Sequence, residues 1–259
     1  AYAVFDGHTQ NDKNPYLYRT NDFGKTWTSL ITPDVQGATR SFEEDLENPD
    51  LLFLGTEMGL FISIDGGSSW KKFTQNFPAT AVHYLTMQKK TSDLVAGTHG
   101  RGIIIIDDVS VLRNLNQEVL GTDVHFFDIK PNMMREESGF GGASGETQFV
   151  GPNPTSVVSI PYYLKKRHTF GKMSLEIQDM DGNKITDIKP GKSKGINISY
   201  WNYATTVPKV APGKSFAYGG FQSIRASAGD YKVVMKKGKE TYEASFNIYN
   251  DTTSLVTND

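Results

Sequence analysis

The sequence predicts an all-β chain in two parts: about two and a half four-stranded blades of a β-propeller over residues 1–108, then a β-sandwich over residues 124–250. The first observation behind this is a repeat. Thr20 to Trp27 and Ser63 to Trp70 both read hydroxyl, x, Asp, x, Gly, x, hydroxyl, Trp, and their aspartates lie 43 positions apart. A period of that length marks a unit that cannot bury its apolar face alone and stacks on copies of itself, and it suits one propeller blade. The second observation is a run of short apolar stretches beyond residue 155, separated by turn residues at sandwich spacing.

The octapeptide has the chemistry of a tight turn between strands. Asp22 and Asp65 can accept backbone N–H bonds, Gly24 and Gly67 can take positive φ, and Thr20 and Ser63 supply the leading hydroxyls. Trp27 and Trp70 are expected to anchor the returning strands, both buried against a neighbouring blade, with an indole N–H that needs a partner.

Laid out strand by strand, the central unit is complete: residues 39–43, 51–56, 59–64 and 70–73. The unit after it has residues 81–87, 94–98 and 102–106 but lacks its fourth strand. The unit before it has residues 1–5, 16–19 and 27–31 and lacks its innermost strand. A closed propeller needs at least four blades, and open blades expose strand edges and an apolar flank. Residues 1–108 are therefore expected to be the end of a longer propeller, whose remainder is the first partner implied, either in the same polypeptide or as an associated fragment.

Residues 109–123 read as a short helical connector, because apolar residues fall at roughly helical spacing after an Asp/Ser start. A strand is expected at 124–129, then a Gly- and Ser-rich stretch from 133 to 150. The sandwich strands follow at 156–163, 173–178, 184–188, 195–200, 229–236 and 241–249, in an immunoglobulin- or fibronectin-like pattern, with 251–259 as a tail. Asp179 to Asn183 and Lys236 to Lys239 are two hairpin turns with Gly supplying the required φ.

The octapeptide resembles the Asp-box of the BNR repeat, found in sialidases, xyloglucan-cleaving glycoside hydrolases, sortilin/Vps10 receptors and many bacterial surface proteins. The resemblance extends along the chain. Phe5-Asp6-Gly7-His8, the run Asn48 to Glu57, and Gly97-Thr98-His99-Gly100-Arg101-Gly102 look like the large bacterial sortilin-like, glycosyl-hydrolase-type BNR proteins. Gly151-Pro152-Asn153-Pro154 and Ala228-Gly229-Asp230-Tyr231 resemble the sandwich that follows the propeller there. This likeness implies a secreted, periplasmic or cell-surface location, and a structural role for Asp22 and Asp65 at the blade periphery. The cysteine-rich modules of eukaryotic sortilins have no counterpart, so a sorting-receptor role does not transfer.

Composition narrows the chemistry. The formal net charge of −2 over 259 residues offers no overall attraction to nucleic acid or an anionic membrane. With no cysteine there is no disulfide framework, thiol nucleophile or cysteine-bound metal. No apolar run approaches a membrane span, and the opening residues lack signal-peptide character.

The five histidines show no metal-ligand spacing, and no motif asks for a cofactor. Asp179, Asp181 and Asn183 imitate the start of a calcium loop, but Gly182 comes too early and Pro190 stands where the closing Glu belongs. Gly191-Lys192-Ser193-Lys194-Gly195 spells a nucleophile elbow without its strand-to-helix context. Gly139 to Gly145 has no Lys-Ser/Thr to make it a phosphate loop. The basic runs Lys165-Lys166-Arg167 and Lys236 to Lys239 read as solvated faces, since no aromatic stacking pattern accompanies them.

The better candidates are Glu57, His99 and Arg101. Gly55-Thr56-Glu57 aligns with Gly97-Thr98-His99, and equivalent turns of successive blades face one rim. Two functions are consistent with this: a binding or scaffolding module recognising a glycan, peptide or partner protein, or a glycoside hydrolase completed by the rest of the propeller. A hydrolase needs two carboxylates across a cleft, and Asp6, Glu43, Glu44, Asp45, Glu57, Asp107 and Asp108 are available, but spacing selects no pair.

Overall fold

The computed structural model describes residues 1–134, 156–206 and 224–251. The chain divides into two compact units, Ala1–Gln117 and Glu118–Asp259. Both are built from mainly antiparallel sheets, and the described residues are all-β apart from short helices.

The first unit contains three sheets in chain order. The first comprises β1 (Tyr2–Phe5), β2 (Tyr16–Arg19) and β3 (Thr28–Ser29). The second comprises β4 (Thr39–Glu44), β5 (Leu52–Thr56), β6 (Gly59–Ser63) and β7 (Lys71–Lys72). The third comprises β8 (Val82–Gln88), β9 (Asp93–Thr98) and β10 (Ile103–Ile106). Each strand pairs with its sequence neighbour, as hairpin-connected strands do.

Alternation along the strands decides which sheet each side chain meets. In the middle sheet Leu52, Leu54 and Phe61, with Trp70 just before β7, pack with Leu17 of the first sheet and with Leu30 and Val35 of the connection that follows it. Leu51, Phe53 and Leu60 point the other way and pack with Val82, Leu85, Met87, Leu94 and Ala96 of the third. This two-sided burial is why residues 51–54 form an unbroken apolar run. Gly55 allows the close approach of β5 to β8, because a Cβ there would stand 2.6 Å from the Val82 carbonyl oxygen.

One expectation is corrected here. Trp70 is fully buried, but Trp27 is 46% exposed. The Trp70 indole N–H reaches across to the Leu30 carbonyl oxygen of the preceding strand run at 2.8 Å. Trp27 has no such neighbour among the described residues, and its N–H turns back to Gly24 O at 3.2 Å. The forward flank behaves likewise. Register makes Ile103 and Ile105 equivalent to Leu60 and Ile62, which the third sheet covers, yet Ile103 is 73% and Ile105 57% exposed. The strand expected at 27–31 is also shorter, pairing only at Thr28 and Ser29.

The expected connector is two helices, α1 (Ser110–Arg113) and α2 (Gln117–Gly121). Val109 and Leu112 seal the apolar cluster between the second and third sheets.

The second unit has two sheets. β11 (Val124–Phe126), β13 (Val158–Leu164) and β16 (Gly195–Trp201) form one, in the order β11-β13-β16. β12 (Asn132–Met134), β14 (Met173–Asp179), β15 (Lys184–Ile188), β17 (Gly229–Lys237) and β18 (Glu240–Asn250) form the other, in the order β12-β18-β17-β14-β15. Val158, Ile160, Tyr162 and Trp201 from the first share a single core with Leu175, Ile177, Val233, Met235 and Phe246 from the second.

The strand expected at 124–129 ends at Phe126, and the chain then crosses to the other sheet, where β12 pairs in parallel with β18. Sequence patterning gave no sign of that parallel pair. Gly139 to Gly145 and Gly151 to Pro154 lie outside the described residues.

Candidate functional site

The two octapeptides share the same hydroxyl, aspartate and glycine hydrogen bonds and differ at the tryptophan. Thr20 Oγ1 and Ser63 Oγ each donate to the aspartate two positions on at 2.8 Å, and each accepts the N–H of the glycine four positions on at 2.9 Å. Thr26 and Ser69 donate both backbone N–H and hydroxyl to Asp22 and Asp65, at distances of 2.5–2.9 Å. These bonds, the Thr26 hydroxyl first, hold the Asp22 carboxyl down to about 2. Burial works against ionisation of Asp65, but the Ser69 and Ser63 bonds outweigh it and hold that carboxyl low as well. Each carboxylate accepts three bonds from its own turn, as a hairpin closure does.

The other end of the same strands is different. Asp6, Glu57 and His99 are the residues directly after β1, β5 and β9, so they occupy one position in three successive sheets. The backbone N–H of Glu57 donates to Ala38 O at 3.0 Å, and that of His99 donates to Ala81 O at 2.9 Å. Facing them are Arg40 and His83, also 43 positions apart. Each is the extra residue of a β-bulge, since pairing skips from Thr39 to Ser41 and from Val82 to Tyr84. Bulges re-aim a side chain and recur beside functional sites.

Arg40 joins the group. Its Nη1 bonds to Asp6 Oδ2 and its Nη2 to Glu57 Oε1, with only 14% of the side chain exposed. His8 Nδ1 lies 2.7 Å from Asp6 Oδ2 and 3.0 Å from Arg40 Nη1. His83 and His99 stack with ring centroids 5.3 Å apart and planes 18° from parallel. Burial disfavours the charged form of His83, and the Arg40 charge and His99 add to this, so its pKa falls despite Asp6 and Glu57 nearby. Burial likewise opposes ionisation of Asp6, but the His8 N–H, the His8 ring and Arg40 outweigh it and keep this carboxyl below its usual range.

Of the residues singled out in the sequence, the structure brings Glu57 and His99 into this group through Arg40 and His83. Arg101 stays apart: it is exposed, between Gly100 and Gly102, and makes no hydrogen bond or ion pair among the described residues. Sequence reasoning missed Arg40 and gave no special place to His8 or His83. The signal that would have found two of them is the 43-residue period itself, which links Arg40 to His83 as it links Asp22 to Asp65.

Several of the remaining carboxylates have other occupations, while Asp107 is exposed. Glu43 and Glu44 lie toward the opposite end of β4 from Arg40, accepting from the Met87 N–H at 3.1 Å and from the Tyr2 hydroxyl respectively. Asp45 is clamped by Arg113. Asp179 accepts from the Asn183 N–H at 2.8 Å and its side-chain amide at 2.9 Å, as a hairpin turn requires. Ser193 leads into β16 with its N–H on Asn197 Oδ1 at 3.0 Å, in no elbow.

Compared with known proteins, the chain matches no family model and no curated protein.

Proposed function

We propose that residues 1–108 are an arc of a BNR/Asp-box β-propeller whose rim recognises a glycan, peptide or partner protein, in a secreted, periplasmic or cell-surface protein with a trailing immunoglobulin- or fibronectin-like sandwich. The observation that carries this reading is the recurrence of Asp6, Glu57 and His99 at one position of three sheets, faced by the bulge residues Arg40 and His83. Equivalent connections of stacked sheets make a continuous lip of polar groups, at the end away from the octapeptide turns. The glycoside hydrolase alternative needs one carboxyl kept protonated as an acid. Asp6 and Glu57 are both tied to the Arg40 guanidinium and Asp6 is held ionised, which favours binding over bond cleavage.

The exposed flanks support the same architecture. Trp27 on one side, and Tyr84, Ile103 and Ile105 on the other, are where a preceding and a following blade would lie if the packing of the middle sheet continued. In a longer polypeptide bearing those blades, hydroxyl-radical footprinting should find Trp27 and Ile105 protected relative to this chain alone. Unchanged reactivity would remove the ring.

A glycan panel screened with the parent polypeptide tests the function. Arg101→Ala should weaken binding by about 1–3 kcal/mol if its guanidinium bonds the ligand. It should leave the melting temperature nearly unchanged, because the residue supports nothing else. Turnover of any glycan would establish the hydrolase in place of the binding module.

A further inference from the structure

We infer that one end of the second unit is a docking surface for an anionic lipid bilayer, with Phe170 as the side chain that enters the headgroup region. The formal charge of the whole chain, −2, conceals how its cations are placed. Residues 165–172 read Lys-Lys-Arg-His-Thr-Phe-Gly-Lys and residues 189–194 read Lys-Pro-Gly-Lys-Ser-Lys, and neither contains a carboxylate.

The fold brings these separate stretches together. Leu164 pairs with Gly195, so the connection leaving β13 lies beside the one entering β16. The His168 N–H donates to Lys192 O at 3.0 Å. Met173 pairs with Lys237, and the Gly238 N–H reaches Lys172 O at 3.3 Å, which adds the β17–β18 turn to the same end. Lys166, Arg167, Lys172, Lys192, Lys194 and Lys239 are exposed there, and none is in an ion pair among the described residues. Of the carboxylates near this end, Asp123 is taken by Lys237, and Glu240 stands beside Lys239, so the cations outnumber the acids there.

Phe170 distinguishes the partner. It is 89% exposed, at the tip of the most basic connection. The loop that carries it is held: His168 Nε2 is 3.2 Å from the Gly171 carbonyl oxygen, Gly171 has φ +86°, and Lys165 Nζ donates to Gly121 O at 2.8 Å. A fixed loop that presents one bare phenyl ring among cations matches a bilayer surface, where anionic headgroups meet the cations and the ring leaves water at the acyl boundary. Single-stranded nucleic acid asks instead for several aromatic platforms along a groove, and among the described residues this end offers one exposed phenyl ring.

The test is co-sedimentation of the full chain with vesicles of phosphatidylcholine alone, and of phosphatidylcholine with phosphatidylglycerol at two to one. Binding is expected to the mixed vesicles and not to the neutral ones, and to fall as salt rises. Each cation near an anionic surface strengthens partitioning by about fivefold, so the triple change Lys166→Ala, Arg167→Ala, Lys194→Ala should weaken it about 100-fold. Phe170→Ala should weaken it about tenfold while leaving the circular dichroism melt unchanged.

The chain has no cysteine, so Thr169→Cys accepts a single environment-sensitive fluorophore. Its emission should shift to the blue on mixed vesicles. No binding, equal binding to neutral vesicles, or no emission shift would overturn the proposal. Retention on a sulfated polysaccharide or on nucleic acid without retention on vesicles would overturn it in favour of those polyanions.

Discussion

Trp70→Ala is expected to cost the first unit about 3–5 kcal/mol of unfolding free energy, measured by denaturant titration with circular dichroism. The indole is fully buried between the first and second sheets, among Leu17, Leu30, Leu52, Leu54 and Phe61. Its removal opens a cavity that rigid sheets on either side collapse into poorly. Trp70→Phe keeps most of the apolar contact but leaves the Leu30 carbonyl oxygen without its 2.8 Å partner, for a further test at about 1–2 kcal/mol. The sequence-equivalent change Trp27→Ala should cost about 1 kcal/mol or less, because that ring is 46% exposed and bonds only within its own turn. Equal losses at the two positions would mean that Trp27 is covered in solution by something this chain itself supplies.

The contrast between those two tryptophans shows what was legible in the sequence and what was not. The repeat was legible because each turn is local: hydroxyl, Asp and Gly satisfy one another within eight positions, so the spelling specifies the hydrogen bonds. The two central strands of the middle sheet, β5 and β6, were legible because they are buried on both faces and bounded by turn residues. Burial of Trp27 was not, since it depends on a neighbour outside the repeat that carries it.

Glu57 and His99 were found by aligning two turns. Arg40 was not, because a β-bulge is a property of pairing register and residues 39–44 read as an ordinary strand on their own. Nor did composition reveal the basic end of the second unit. Lys166, Lys192 and Lys239 are far apart in sequence, and only the antiparallel pairing of β13 with β16 and of β14 with β17 gathers them. The same limit hid the parallel pairing of β12 with β18, which has no local signature at three residues.

Asp45→Ala should destabilise the first unit by about 3 kcal/mol, through a contact that ties helix α1 to the β4–β5 connection. Asp45 is fully buried at its side chain. It receives Arg113 Nε at 2.8 Å and Nη2 at 3.0 Å, together with the N–H groups of Glu47 at 3.0 Å and Asn48 at 2.9 Å. Asn48 in turn donates its side-chain amide to Arg113 O at 3.0 Å. Removing the carboxylate leaves a guanidinium that is 11% exposed with the solvent-facing Glu47 and the nearby Asp108 as counter-charges, which is why the loss should sit at the low end of the range for a broken buried pair. Asp45→Asn keeps an acceptor for the two N–H groups and should lose about half as much.

The pH dependence carries a sign. Burial raises the Asp45 pKa, but the Arg113 bonds, the two N–H groups and the Arg113 charge outweigh it, and the folded value lies below the unfolded one of about 4. The contribution is therefore complete above about pH 4 and is lost as pH falls through the folded pKa, because the unfolded chain then binds the proton more readily. Wild type and Asp45→Asn should differ in stability at neutral pH and converge in strong acid. A gap that stayed constant down to pH 2 would show that Asp45 acts through packing rather than through its charge.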